Sequence, residues 1–143
     1  MKLPSLIVLL AAIVALPASA AASRARWLID ADQLATSLDK PHQVILHVGD
    51  ATVYEAGHLP GARLLTPGMF QRPRGNDPEA LLLELPDPKA LQAQMQQLGI
   101  AQDSHVVVVF GKDEFAPATR VIYTLDAAGW GGQAALLDGG QPE

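Results

Sequence analysis

The sequence predicts an α/β fold in which helices flank a central, mostly parallel β-sheet. Three observations support this prediction. Apolar segments typical of strands alternate with segments of helical periodicity, which is the pattern of βαβ units. Residues 105–110 contain four consecutive valines, and such a run favours a central strand buried on both faces. The chain has 143 residues, which allows a single domain.

Residues 1–20 have the layout of a secretory signal peptide. Lys2 precedes an unbroken apolar run at residues 6–16, and Ala18-Ser19-Ala20 has the small residues of a cleavage site. A run of eleven residues rises only about 16 Å as a helix, against a hydrocarbon core of about 30 Å. We therefore expect cleavage after Ala20 or Ala22, a periplasmic or secreted protein, and no membrane attachment after cleavage. An uncleaved membrane anchor is the alternative.

The predicted domain, residues 24–143, begins with two strand–helix pairs. Residues 27–29 form a short apolar start, and Asp30 with Gln33 has the pattern of a capping box that opens a helix to about Leu38. A buried strand at residues 44–48 comes next, followed by one or two helical turns at residues 51–56. A turn rich in glycine and proline at residues 57–62 then leads to a very short strand at residues 64–65.

The second half contains the clearest helix of the chain. Asp87 is placed as its N-cap, Pro88 as its first residue and Gly99 just beyond its end. Residues 66–86 before it are rich in proline, glycine and arginine, and we expect a long surface excursion. After the valine-rich strand we expect a polar loop at about residues 111–114 and a helix at about residues 117–128. A short strand at about residues 134–137 follows the helix.

Composition excludes several classes of function. The chain contains no cysteine, which excludes disulfides, a thiolate metal site and a cysteine nucleophile. Its formal net charge is −5 and it has no basic stripe, so we expect no nucleic-acid partner. The four histidines lack the spacing of metal ligands. We expect neither a metal nor a cofactor, and a hydrolase based on a metal or on paired carboxylates has little support.

Three segments resemble the rhodanese-like family, the fold of sulfurtransferases. They are residues 44–65, 85–110 and 118–140, with the motif GHLPGA in the first and LLDGG in the last. The resemblance covers nearly the whole predicted domain and implies a three-layer α/β fold. It marks a set of structural motif residues: Gly57, His58, Pro60, Gly61, Ala62, Asp138, Gly139 and Gly140.

Within the family, the stretch that begins at Leu85 is most similar to the first, generally non-catalytic, domain of tandem thiosulfate and 3-mercaptopyruvate sulfurtransferases. In catalytic domains of the family a cysteine follows the central strand and opens a loop of backbone N–H groups. In this chain the corresponding position falls at about residue 111, which is Gly111. The resemblance therefore implies no catalytic residue in this chain. The active-site-like loop comprises Gly111, Lys112, Asp113, Glu114 and Phe115. Its two carboxylates would repel a thiolate or thiosulfate.

The resemblance implies an exported protein of the sulfurtransferase family whose catalytic cysteine lies outside this chain. A second rhodanese domain is then the expected partner. Family members usually continue past DGG into a helix, so we expect a domain that is incomplete at residue 143, with its last helix truncated. A stand-alone, catalytically inactive binding or assembly module in the periplasm is the alternative.

The sequence departs from the family pattern at the end of the second strand. His47 replaces a frequent aspartate, and Gly49 replaces an arginine two residues later. Asp50 is a candidate to substitute for part of that pair. We interpret His47 as a hydrogen-bonded core histidine and His58 as a brace of its turn. Arg120 is interpreted as a residue of the helix surface or as a brace of a loop.

Overall fold

The computed structural model describes residues 26–141, so the predicted signal peptide and its cleavage site lie outside the described residues. The strands are β1 (Leu28–Ile29), β2 (Gln43–Val48), β3 (Arg63–Leu65), β4 (His105–Phe110) and β5 (Ala134–Leu137). The helices are α1 (Ala31–Ala35), α2 (Ala51–Ala56), α3 (Pro88–Gln97) and α4 (Phe115–Leu125). A π-helical turn, Asp126–Trp130, follows α4.

The strands of the described residues form one parallel sheet in the order β1-β5-β4-β2-β3. β4 lies in the centre and pairs with β2 along its full length, from Gln43 opposite His105 to Val48 opposite Phe110. Its four valines are each no more than 4% exposed. The valine run therefore predicted the central strand correctly, because only a strand covered on both faces buries consecutive apolar side chains.

Helices cover both faces of the sheet and make three layers. Leu34 of α1 packs with Ile45 and Val107 on one face, where α2 also contributes. Met95 of α3 and Val121 of α4 belong to a larger core on the opposite face. The predicted α/β class is confirmed, with α1 and α2 on one side of the sheet and α3 and α4 on the other.

α3 has its predicted bounds because local signals determine both of its ends. The Asp87 side chain accepts hydrogen bonds from Lys89 N and Ala90 N, each at 3.1 Å. Gly99 has φ +65°, the left-handed conformation that favours glycine just after a helix. Neither signal depends on residues far along the chain, so both can be recognised in the sequence.

Two helices differ from their predicted bounds. α1 ends at Ala35 rather than near Leu38, because the hydroxyls of Thr36 and Ser37 bond to backbone oxygens three residues back and compete with the helical ladder. α4 begins two residues before Pro117, so Pro117 lies in its first turn. Backbone N–H groups in the first turn have no partner within the helix, and a proline there costs no helical hydrogen bond. No helix in the described part of the chain is long and apolar enough to cross a bilayer.

The excursion at residues 66–86 contains no helix or strand, as predicted, yet it is anchored to the domain. Phe70 is buried in the larger core. Arg72 N donates to Glu84 O at 2.8 Å, and the side chains of the same two residues pair at 3.3 Å. Residues 72–84 thus form a surface loop whose ends are closed, an Ω-type loop.

Candidate functional site

The loop after β4 lies where the connections of the sheet diverge. From β4 the chain continues to β5 on one side, and from β2 it continues to β3 on the other. Ligands of open α/β sheets bind in the crevice that such a divergence leaves at the carboxyl ends of the strands. The active-site-like loop Gly111–Phe115 therefore stands at the position where the topology of this sheet favours a site.

A cleft of about 380 Å³ opens beside this loop. Its lining comprises Phe110, Gly111, Lys112, Asp113, Gly139 and Gln141. Asp113 has φ +66°, and Glu114 N donates to Gly111 O at 3.3 Å. The ring of Phe115, the first residue of α4, packs edge-on against Phe110 with centroids 5.6 Å apart. The loop is thereby held as one short turn between β4 and α4.

Gly111 has room for a side chain. A Cβ built at this position would have Val53 Cγ1 as its nearest neighbour, at 3.5 Å, which is an ordinary van der Waals contact. A cysteine would therefore fit sterically at Gly111, the position at which the resemblance predicts the family's nucleophile. Nothing in the sequence pairs Val53 with this loop, because α2 and β4 come together only through the strand order.

The carboxyl edge of the sheet is acidic. The residues that directly follow the strands include five carboxylates and one lysine: Asp30, Asp50, Asp113, Glu114, Asp138 and Lys112. Asp30 caps α1 by accepting from Gln33 N at 2.7 Å. Asp50 caps α2 by accepting from Val53 N at 3.0 Å. In the described residues no group of three or more side chains is arranged to hold a metal ion.

Segment 138–140 follows β5 and brings Gly139 into the lining of the cleft. Gly139 and Gly140 have φ of +82° and +70°, conformations that favour glycine. A Cβ at Gly140 would lie 2.8 Å from Phe110 O, so the close approach of the two segments requires a glycine.

Gln141 joins three parts of the site, although it belongs to none of the sequence motifs. Its backbone N–H donates to Phe110 O at 2.8 Å. Its side-chain Nε2 donates to Gly57 O at 3.0 Å. The residue therefore ties the ends of β5 and β4 to the GHLPGA turn, and its place directly after DGG is the one sequence signal for this role.

The turn at residues 57–62 is braced by aromatic contacts. The ring of His58 stacks on Tyr54 with centroids 3.9 Å apart, and His58 Nδ1 lies 2.8 Å from Tyr54 O. The Tyr54 hydroxyl donates to Ala62 O at 2.6 Å, and Gly61 has φ +75°. The other motif residues of the turn, Gly57 and Pro60, are exposed. None of these side chains lines the cleft, so the motif supports the site from outside.

His47 is buried but not hydrogen-bonded, so its interpretation as a satisfied core histidine is wrong. The residue is 1% exposed, and neither ring nitrogen has a hydrogen-bond partner among the described residues. Its ring packs edge-on against Tyr54 with centroids 5.5 Å apart. Burial lowers the pKa of His47, Gln141 opposes that shift in part, and His58 adds to it. The interaction with Gln141 does not reach the geometry of a hydrogen bond.

This arrangement of sheet, loop and turns is that of a known family. The model for the rhodanese-like domain matches residues 30–143. The chain belongs to the rhodanese-like family. This rhodanese-like chain is 32% identical over 127 residues to a probable 3-mercaptopyruvate sulfurtransferase from Pseudomonas aeruginosa. The match covers 79% of the chain and 42% of that protein.

A solved structure shares the rhodanese fold of the chain. It is that of SseA, a 3-mercaptopyruvate sulfotransferase from Escherichia coli, with a TM-score of 0.64 and 28% sequence identity. The similarity covers 80% of this chain and 45% of SseA. The rhodanese-like chain thus spans less than half the length of either relative.

Proposed function

We propose that this chain is the non-catalytic rhodanese-like domain of a longer, exported sulfurtransferase of the thiosulfate or 3-mercaptopyruvate type. Gly111 carries the proposal, because by resemblance it stands at about the position of the family's nucleophile, in a chain without cysteine. The matched relatives are each more than twice as long as the part that this chain covers. That difference in length supports a second domain, which would carry the catalytic cysteine.

The chemistry of such an enzyme is the transfer of a sulfane sulfur through a cysteine persulfide. The thiolate attacks the sulfur of the donor and forms an S–S bond at the cysteine, while the S–S bond of thiosulfate or the C–S bond of 3-mercaptopyruvate breaks. Sulfite leaves with the electron pair of the broken S–S bond, or pyruvate leaves as its enolate and takes up the proton given up by the donor thiol. A thiophilic acceptor such as cyanide then removes the sulfur and regenerates the thiolate. The present loop has no thiol, and its carboxylates disfavour both a thiolate and an anionic donor.

Substitutions in the loop test whether the site lacks only its nucleophile. The unaltered chain should transfer no sulfur from thiosulfate to cyanide. Gly111→Cys fits sterically but should stay inactive, because Asp113 and Glu114 raise the pKa of the new thiol and repel the donor. Adding Asp113→Asn and Glu114→Gln should allow the cysteine to gain one sulfur atom from thiosulfate, measured by intact mass. Val53→Cys, a thiol on α2 outside the loop, is the matched control and should gain none. Turnover by the unaltered chain above that of a heat-treated sample would contradict the proposal.

The second domain and export require separate observations. An open reading frame that continues past residue 143 into a cysteine-bearing rhodanese domain is the expected result. A stop codon there, with a specific partner in pull-downs, would favour the inactive binding module instead.

The exported protein should begin at Ala21 or Ser23, as determined by mass spectrometry of the periplasmic fraction. Retention of Met1 in that fraction would contradict cleavage.

A further inference from the structure

His47 is a titratable side chain enclosed by the domain. Its ring is 1% exposed, and the described residues offer no hydrogen-bond partner to either of its nitrogens. His47 stands one residue before the end of β2, where its neighbours on β4 and β3 are Val109 and Leu64. Because these neighbours are apolar, a proton on the ring is costly unless an anion reaches it from outside the sheet.

Gly49 leaves a space between His47 and the loop Gly111–Phe115. A Cβ at Gly49 would lie 3.4 Å from His47 Nε2 and 4.0 Å from Glu114 Cγ. The two side chains therefore face the same point, one from β2 and the other from the loop, and residue 49 has no side chain to fill it. Gly49 is itself buried, so charges that meet over it interact more strongly than they would in water.

The Glu114 side chain is suited to enter this space. Glu114 is the N-cap residue of α4, yet its side chain makes no capping hydrogen bond to that helix. It takes part in none of the ion pairs found within residues 26–141. The residue is half-buried, and its Cγ already faces Gly49. Rotation about the side-chain bonds moves the carboxylate between staggered positions, so no change of the backbone is required.

The other polar and titratable neighbours are less suited to stabilise a charged His47. Tyr54 packs against the ring from α2, and its hydroxyl donates to a backbone oxygen. His58, in the following turn, would repel a second positive charge. Asp50, three residues along the chain, is engaged as the N-cap of α2. Gln141 interacts with His47 from the end of β5 but carries no charge.

We propose that His47 and Glu114 form a pH-dependent latch. When His47 takes up a proton from solvent, the Glu114 carboxylate turns into the space over Gly49 and accepts a hydrogen bond from Nε2. This contact ties the loop Gly111–Phe115 to the end of β2. When the proton leaves, the carboxylate turns away and the loop is released. The latch acts on a loop that lines the cleft beside β4, and it requires neither a catalytic cysteine nor a second domain.

Histidine-ring NMR of the purified chain as a function of pH measures the latch. The chain has four histidines, and the resonance that disappears in His47→Leu belongs to His47. Glu114→Gln preserves the shape of the side chain and removes its charge, so it should lower the pKa of His47 by about 1 pH unit. Asp113→Asn, on the same loop, is the matched control and should leave that pKa unchanged.

Three results of this titration would overturn the latch. The first is a pKa of His47 that Glu114→Gln does not alter, or that Asp113→Asn lowers equally. The second is a decrease of the same size in Asp50→Asn, which would assign the partner of His47 to α2. The third is a His47 ring that stays neutral down to the pH at which the chain unfolds.

Backbone amide resonances of residues 111–115 show whether proton uptake reaches the loop. In the parent they should shift with the midpoint of the His47 titration. Gly49→Ala fills the space without adding a charge, and because Gly49 has no positive φ the variant should fold, as circular dichroism checks. Its loop resonances should no longer follow His47. Gly132→Ala, which adds a methyl group where no atom lies within 4 Å, is the matched control and should retain the shift. Loop resonances that follow His47 in Gly49→Ala, or that ignore His47 in the parent, would overturn the path over Gly49.

Discussion

His47 links burial to pH at the scale of a single residue. Because burial lowers the pKa of His47 below its ordinary value of 6.5 in the folded chain, the unfolded chain binds a proton on this ring more readily than the folded chain does. The free energy of unfolding therefore contains a contribution that is fully present above pH 6.5. That contribution is lost as the pH falls from 6.5 towards the lowered pKa.

Replacing His47 by leucine tests this linkage. His47→Leu removes two buried nitrogens that lack hydrogen-bond partners, so the variant should be as stable at pH 7 as the parent or about 1 kcal/mol more stable. Its free energy of unfolding, measured with urea, should also decline less between about pH 7 and pH 5. His105→Gln, at an exposed position, is the control and should keep the decline of the parent. An unchanged decline in His47→Leu would contradict the role assigned to burial.

Alanine substitutions at the two glycines after β5 distinguish the cost of a positive φ from the cost of a steric contact. Gly140→Ala combines a φ of +70° with a Cβ that would lie 2.8 Å from Phe110 O, and it should lower the free energy of unfolding by about 2–3 kcal/mol. Gly139→Ala has a φ of +82° with no atom within 4 Å, and it should cost about 1 kcal/mol.

Gly132→Ala is the matched control for this series, because Gly132 has neither a positive φ nor a close neighbour. Its stability should stay within about 0.5 kcal/mol of the parent. Urea unfolding of the three variants provides the comparison. Equal costs for Gly139→Ala and Gly140→Ala would show that the approach to Phe110 contributes nothing.

At the scale of an element, α3 owes its start to one side chain. Asp87→Ala removes the acceptor for Lys89 N and Ala90 N and should lower the free energy of unfolding by about 1 kcal/mol. Asp87→Asn keeps a capping oxygen and should retain most of that stability. The two variants are compared by thermal and urea unfolding, and an equal loss in both would indicate that charge rather than capping matters.

The ends of an element can be predicted where the residues that determine them lie within about one helical turn of those ends. Both ends of α3 are predicted correctly because a capping aspartate and a C′ glycine act within one turn. The end of α1 is placed too late, since apolar spacing at Leu34 and Leu38 outweighed the competing hydroxyls of Thr36 and Ser37. Gly129 interrupts the helical backbone after α4 with a φ of +99°, in agreement with its predicted role as the residue that closes the helix over residues 117–128. The π-type hydrogen bonding of residues 126–130 has no sequence signature.

At the scale of the whole molecule, the parallel sheet places the acidic residues that follow several of its strands at one edge. Parallel strands and helix N-termini usually favour anions at such an edge, but here most of the charged residues that follow the strands are carboxylates. The edge of this domain should therefore not bind the anionic donors of a sulfurtransferase.

Thermal unfolding in thiosulfate tests this expectation. Thiosulfate should shift the melting temperature no more than sulfate at equal ionic strength, because a general salt effect is then the only contribution. Asp113→Asn combined with Glu114→Gln should show a small additional stabilisation by thiosulfate, through binding to the folded state. A specific stabilisation of the unaltered chain would contradict the charge argument.

Part of the candidate site could be recognised in the sequence and part could not. The loop Gly111–Phe115 is recognisable because it follows a strand that the valine run identifies. Its neighbours Val53 and Gln141 are not, since they reach the loop from α2 and from the end of β5. His47 was assigned correctly to the core, but its missing hydrogen bonds depend on which groups surround it.

The sequence by itself determined the α/β class, the central strand, the ends of α3 and the absence of a thiol nucleophile. Each of these depends on composition or on contacts between residues within a few positions of one another. Only the tertiary structure decided the strand order, the absence of a hydrogen-bond partner for the His47 ring among the described residues and the close approach of Gly140 to Phe110. These features depend on which distant segments pack together, and packing is set by the burial of the whole core rather than by any local pattern.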